Sequence, residues 1–313
     1  MKKRTSYRLG VMALIISSAL SGINNPVIRS AITIVPPYLF GLWRVSIALL
    51  VIGPIALYLR RNRPARQKKI RSKDLITIAG GSLLLFCGAN LLFYLGVGQS
   101  TSINAAIIGL LGPVLFFILS IHVLKEKFNK KVFFGIGLSF VGASLVVLGP
   151  LLGQATTASA HTMMGNVLLT LSVVTDVVAM LILKRVLNRV HAFDVLAIGL
   201  LVSSFAYVFL AAPYMSQMYL ITDPAILKAV LFGALVVGAL GYSLHYFGMA
   251  RTKGSDVSIT SYVCPVVGML TAVLFFDEKF TPSLMAGATI VFLGLYLVEA
   301  RNLVRTMHHS VHR

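Results

Sequence analysis

Apolar residues in this chain fall in long unbroken runs, with the polar residues gathered in short clusters between them. The runs are continuous and do not alternate with period two. About 20 mostly apolar residues suffice to cross a bilayer as a helix. Inside lipid every backbone polar group must be satisfied internally, which leaves helices or closed barrels, and continuous runs select helices. The pattern predicts spans near residues 9–28, 37–59, 75–98, 103–124, 132–152, 163–183, 193–214, 225–249, 256–276 and 282–299. The expected fold class is all-α, a polytopic membrane protein of ten transmembrane helices.

Composition agrees. Hydrophobic residues make up 57% of the 313, charged residues only 12%, and mean hydropathy is +0.88, whereas a soluble domain carries roughly a quarter charged residues. A formal charge of +19 raises nucleic acid as a partner, but that needs a basic face on a water-soluble body, and no stretch here builds one. The charge is topological instead. One side of the alternating loops collects Lys2, Lys3, Arg4 and Arg8, the Arg60–Lys73 cluster, Lys125–Lys131, Lys184, Arg185 and Arg189, Arg251 and Lys253, and Arg301, Arg305 and Arg313. The other side holds only Arg29, Lys228 and Lys279. Cytoplasmic loops are the ones enriched in Lys and Arg, so both termini are expected in the cytoplasm, with the chain multi-pass in the inner (plasma) membrane. The basic N-terminus followed by an apolar stretch resembles a signal peptide. Apolar character runs on past Ser21 to Ile28, however, so an uncleaved first helix is expected. Cys87 and Cys264 sit in separate runs as small apolar residues.

The chain also repeats itself at a constant offset without gaps. Tyr94 matches Tyr246, Gly96 matches Gly248, Pro113 matches Pro265, and Glu126-Lys127-Phe128 matches Glu278-Lys279-Phe280. Gly135 and Gly142 match Gly287 and Gly294. Five helices per half is an odd number, so the second half enters the membrane from the opposite face: an inverted-topology repeat, the recurring design of alternating-access transporters. The expected division is a first five-helix repeat over 1–152, a second over 153–300, and a cytoplasmic tail over 301–313.

These residues are similar to a known family. Ser100-Thr101-Ser102-Ile103-Asn104-Ala105-Ala106 with Pro113 and Leu124-Lys125-Glu126-Lys127, and Phe276-Asp277-Glu278-Lys279 in the second half, resemble the EamA domain of the drug/metabolite transporter superfamily. Gly22-Ile23-Asn24 resembles its first-helix pattern, with Ser21 where the family carries Trp and Asp176 at the comparable place on the sixth helix; Leu42-Trp43-Arg44 resembles its second-helix arginine region. The resemblance implies ten helices in two inverted halves, and transport, in many members outward, of amino acids, sugars, nucleotide precursors or drug-like compounds.

Candidate site residues follow from depth and spacing. Arg44 is the cation deep in a span; leaving it in lipid costs about 2.5–3.5 kcal/mol on insertion scales, which favours water, carbonyls or an anionic substrate group, unless the side chain snorkels to the interface. Asp176 is the deep acid, and a desolvated carboxylate can carry a proton; a hydrogen-bonded packing residue is the plainer alternative. Asn24 precedes Pro26 in a segment expected to interrupt helix 1, offering an amide and freed carbonyls to a polar ligand. Pro113 and Pro265 are matched mid-helix breaks that suit moving or site-lining segments. Asn90 and Tyr94, and Tyr242 and Tyr246, each share one helix face at i,i+4 and suit a common cavity, or interhelical packing. His245 and His122 read as packing residues, Glu126 and Glu278 as helix-end anchors. His308, His309 and His312 read as a solvated tail with no metal.

The leading function is a secondary transporter of small polar or amphipathic metabolites. Its partners are a small-molecule substrate and the lipid bilayer; a homodimer is compatible with it. There is no phosphate-binding Gly-x-x-x-x-Gly-Lys-Ser/Thr motif, and no cofactor is expected. A non-transporting receptor or scaffold is the alternative. An intramembrane enzyme would need a nucleophile and base or a ligand cluster, which these dispersed residues do not form.

Overall fold

The computed structural model describes residues 2–64, 70–100, 105, 108–126, 130–148, 160–275, 282 and 285–297, and all regular structure among them is helical. In chain order the helices are α1 (Lys2–Ile32), α2 (Pro37–Arg61), α3 (Ser72–Gln99), α4 (Leu111–Val123), α5 (Lys130–Leu148), α6 (Ala160–Leu187), α7 (Ala192–Ala211), α8 (Pro224–Met249), α9 (Gly254–Ser261, resuming at Val263–Phe275) and α10 (Met285–Leu297). Six helical stretches among the described residues are long and apolar enough to cross a membrane, and α4 and α10 are shorter apolar helices. Large apolar side chains face outward: Leu50 and Leu274 are each 74% exposed, Phe134 and Phe205 each 68%. Such a perimeter suits hydrocarbon, not water.

The structure departs from the expected breaks in three places. Helix α1 runs on through Pro26. One missing N–H forfeits a single hydrogen bond, and packing along α8 and α9 keeps the rod continuous, so Pro26 does not interrupt it. Pro113 and Pro265 lie less centrally than expected. Each sits third in a segment that restarts after a turn, at Leu110 before Pro113 and at Tyr262 before Pro265. The proline ring crowds the carbonyl four residues back and offers it no donor, so the preceding segment ends one turn early. Finally, α7 continues as a 3-10 helix over Ala212–Thr222, where Tyr214 stacks on Tyr38 at 5.2 Å between ring centroids.

Helices α3 and α8 each contain a π-helical stretch, Leu83–Ala89 and Phe232–Gly241, which end at Asn90 and Tyr242. Packing contacts recur in pairs. A Cβ on Gly96 of α3 would lie 3.1 Å from the Gly165 carbonyl of α6; one on Gly248 of α8 would lie 2.7 Å from the Gly10 carbonyl of α1. Between α5 and α10, a Cβ on Gly142 would stand 2.7 Å from the Gly287 carbonyl, and one on Gly294 2.7 Å from the Gly135 carbonyl. Ser139 Oγ donates to the Val291 carbonyl at 3.3 Å, its partner 152 residues along the chain.

One end of the bundle is tied by polar groups. The Glu126 carboxylate, just past α4, accepts from the Gly254 and Ser255 amides at 2.6 and 3.4 Å, capping α9. Lys184, expected in a loop, is instead buried in the last turn of α6 and donates to the carbonyls of Met249 and Thr252, both at 2.8 Å. A cation on the free carbonyls that end α8 complements the helix dipole. At the same end Arg63 pairs with Asp194 at 2.8 Å and meets His191 Nδ1 at 2.9 Å. Burial and the adjacent Arg63 guanidinium hold the His191 imidazole below its ordinary pKa. Glu278 and the tail over 301–313, with its three histidines, lie outside the described residues.

Candidate substrate cavity

A cavity of about 350 Å³ lies inside the bundle, lined by residues of α1, α2, α3, α4, α6, α8 and α9. Of the residues singled out from sequence, the structure brings Asn24, Arg44, Asn90, Tyr94, Pro113, Asp176, Tyr242 and Pro265 onto its wall. The Pro26 backbone belongs to continuous α1. Tyr246 is fully buried, its ring edge-on to Tyr242 at 6.1 Å, and it is His245, expected to be mere packing, that lines the cavity. The residue three along a helix stays as near a given face as the residue four along. On the wall, then, Tyr242 is joined by His245, three residues along, and not by Tyr246.

Arg44 is the best-fixed polar group in the wall. It is 7% exposed; Nη1 donates to the Tyr94 hydroxyl at 2.6 Å and Nη2 to the Gly233 carbonyl at 3.2 Å. The guanidinium also lies 5.5 Å from the Phe40 ring centroid and 5.8 Å from that of Tyr94. Gly233, in the π-helical stretch of α8, leaves the room this needs: a Cβ there would sit 2.5 Å from Arg44 Nε. The cation in the apolar span is therefore met by a carbonyl, a phenol and two rings, and does not snorkel. Asn90 lies within bonding reach of the Tyr242 hydroxyl, so residues ending the two π-helical stretches meet across the cavity.

Asp176 differs. It is half-buried on the wall, and no hydrogen bond or ion pair to its carboxylate occurs among the described residues. Sequence reasoning passed over Ser17, Ser18 and Ser172, which also line the cavity. Their signal was present: Ser17, Ser21 and Asn24 follow helical spacing and put a polar stripe on one face of α1. Of the cysteines, Cys264 lines the cavity, whereas Cys87 donates to the Ser203 carbonyl at 3.7 Å; both are free. No cluster of metal-ligating side chains occurs among the described residues.

A helical bundle skinned in apolar side chains, with a polar and aromatic cavity inside it, defines a multi-pass membrane transport protein. The model of the EamA-like transporter family matches this chain twice, over residues 8–148 and 163–300, and the chain belongs to that family. It is 27% identical to a Bacillus subtilis protein named uncharacterized transporter YetK, over 91% of this chain and 83% of that one. A Salmonella typhimurium protein named probable amino-acid metabolite efflux pump is 25% identical over 93% of this chain and 95% of its own length. One solved crystal structure superposes with a TM-score of 0.73 over 94% of this chain and 95% of that chain, at 17% identity, a likeness of fold alone. The chain is a transporter and not an enzyme.

Proposed function

We propose that this transporter exports small polar or amphipathic metabolites, amino acids or related compounds among them, by alternating access, with protons as the coupling ion through Asp176. The reading takes the chain as ten spans in two inverted halves, 1–152 and 153–300, with both termini and the tail in the cytoplasm of an inner membrane. What carries it is the construction of the cavity. Its wall is made by corresponding elements of both halves: α3 and α8 with their π-helical stretches, α4 and α9 with their breaks before Pro113 and Pro265. The reciprocal glycine contacts of α5 and α10 support the same two-fold relation. Paired discontinuous helices around a central site are what rocking one half against the other requires. The name of the Salmonella relative favours amino-acid metabolites.

Flux of a metabolite panel in proteoliposomes, with and without a pH gradient, tests this. The expected result is gradient-dependent flux that loses its dependence on the gradient in Asp176→Asn. Unchanged coupling in that variant removes Asp176 from the mechanism. Reporter fusions at Gln67 and Asn129 are expected in the same compartment; different compartments would overturn the topology.

A further inference from the structure

The cavity wall also says what charge the substrate carries, provided that the cavity is the substrate site proposed above. Its one cation is buried and held by neutral groups: Arg44 gives Nη1 to Tyr94 and Nη2 to the Gly233 carbonyl, and its Nε has no partner among the described residues. Its acid is not so held. The Asp176 carboxylate has no bonding partner among the described residues and stands half-buried on the wall. The phenols of Tyr242 and Tyr246 on α8 lie within electrostatic reach of it and bring no positive charge; Tyr242 is within reach of Arg44 as well. His245 of the same helix lines the cavity too. Atoms of three wall residues are buried without a partner, Arg44 Nε, Asn24 Oδ1 and the Tyr262 hydroxyl; the last two can accept a hydrogen bond. The rings of Phe93, Phe116, Tyr242 and Tyr262 complete the surroundings.

An uncompensated carboxylate, spare acceptors and aromatic faces together suit an ammonium group. It brings the missing charge, carries N–H donors, and is attracted by ring faces. An anionic substrate would meet the Asp176 carboxylate, with only the buried and already bonded Arg44 to offset it. We infer that the cavity takes its substrate by one cationic nitrogen seated against Asp176, so that the substrate class is a monovalent organic amine with an apolar or aromatic body. The count of charges follows from the wall itself: among the described residues that line the cavity Asp176 is the one acid, so a dication would leave one of its charges unpaired.

Three probes of matched size and different charge test the inference: phenethylamine, 2-phenylethanol and phenylacetate, titrated calorimetrically into the purified full-length protein near neutral pH. The amine is expected to bind about tenfold tighter than the alcohol or better, the scale of a hydrogen-bonded charge. The acid is expected to bind weakest. Asp176→Asn should erase the amine's advantage and Asp176→Glu restore most of it, with elution profile and melting temperature showing that both variants fold. An amine that binds no tighter than the alcohol, a preference for phenylacetate, or an advantage that survives Asp176→Asn overturns the inference. Should the asparagine variant fail to fold, the wild-type ranking and the glutamate variant decide. Proteoliposome flux separates this from the transport reading: an amine bound but not moved overturns that reading alone, and flux that favours phenylacetate overturns this one alone.

Discussion

At the scale of single residues, the informative contacts are those a cation makes when it has no water. Sequence showed the cost of Arg44 in a span but not its remedy, because the remedy is a carbonyl 189 residues away and a glycine whose only mark is a missing side chain. Gly233→Ala should force the guanidinium aside and destabilise the protein by about 1–3 kcal/mol, as overpacking does, read as a lower melting temperature in detergent. Arg44→Lys should cost a similar amount, about 1–3 kcal/mol, since one ammonium cannot replace both arms of the fork and leaves a buried acceptor unmet. His191 gives a pH signature. Its imidazole is held below the ordinary value, so the unfolded chain takes up a proton at a higher pH than the folded one does. The contribution is full above the unfolded value of about 6.5 and is lost as pH falls below it. Melting temperature should therefore drop on acidification through that range, and drop less in His191→Gln.

Among the helices, the proline positions were legible and the π-helical stretches were not. A proline announces its missing donor wherever it stands, although packing decides whether the helix breaks, as at Leu110 and Tyr262, or continues, as at Pro26. The stretches Leu83–Ala89 and Phe232–Gly241 are made of residues equally at home in an ordinary helix, so nothing in their composition signals the wider turn. Glu126 was legible as an anchor, but the element it anchors, α9, is 128 residues distant. Glu126→Gln should weaken this cap by about 1 kcal/mol. Hydrogen exchange at the Gly254 and Ser255 amides is the measurement: faster exchange there, with α7 unchanged, is the expected outcome.

For the whole molecule, hydropathy was enough to indicate a multi-pass helical protein. What stayed hidden was the set of partners each residue finds across the bundle, since those depend on how the helices are arranged and not on any one of them. The reciprocal approach of α5 and α10 yields a matched pair of outcomes. Gly142→Ala and Gly294→Ala each place a Cβ 2.7 Å from a carbonyl oxygen, so each should lower stability by about 1–3 kcal/mol, and by nearly the same amount as the other. The cavity wall is not matched in this way. Ser21 and Asp176 both line it; if they belong to opposite halves of an alternating-access protein, as proposed above, the route by which cargo arrives is chemically unlike the route by which it departs. In vesicles with the protein inserted in a single orientation, half-saturation should then fall at different concentrations on the two faces, a kinetic polarity arising from a single unshared acid.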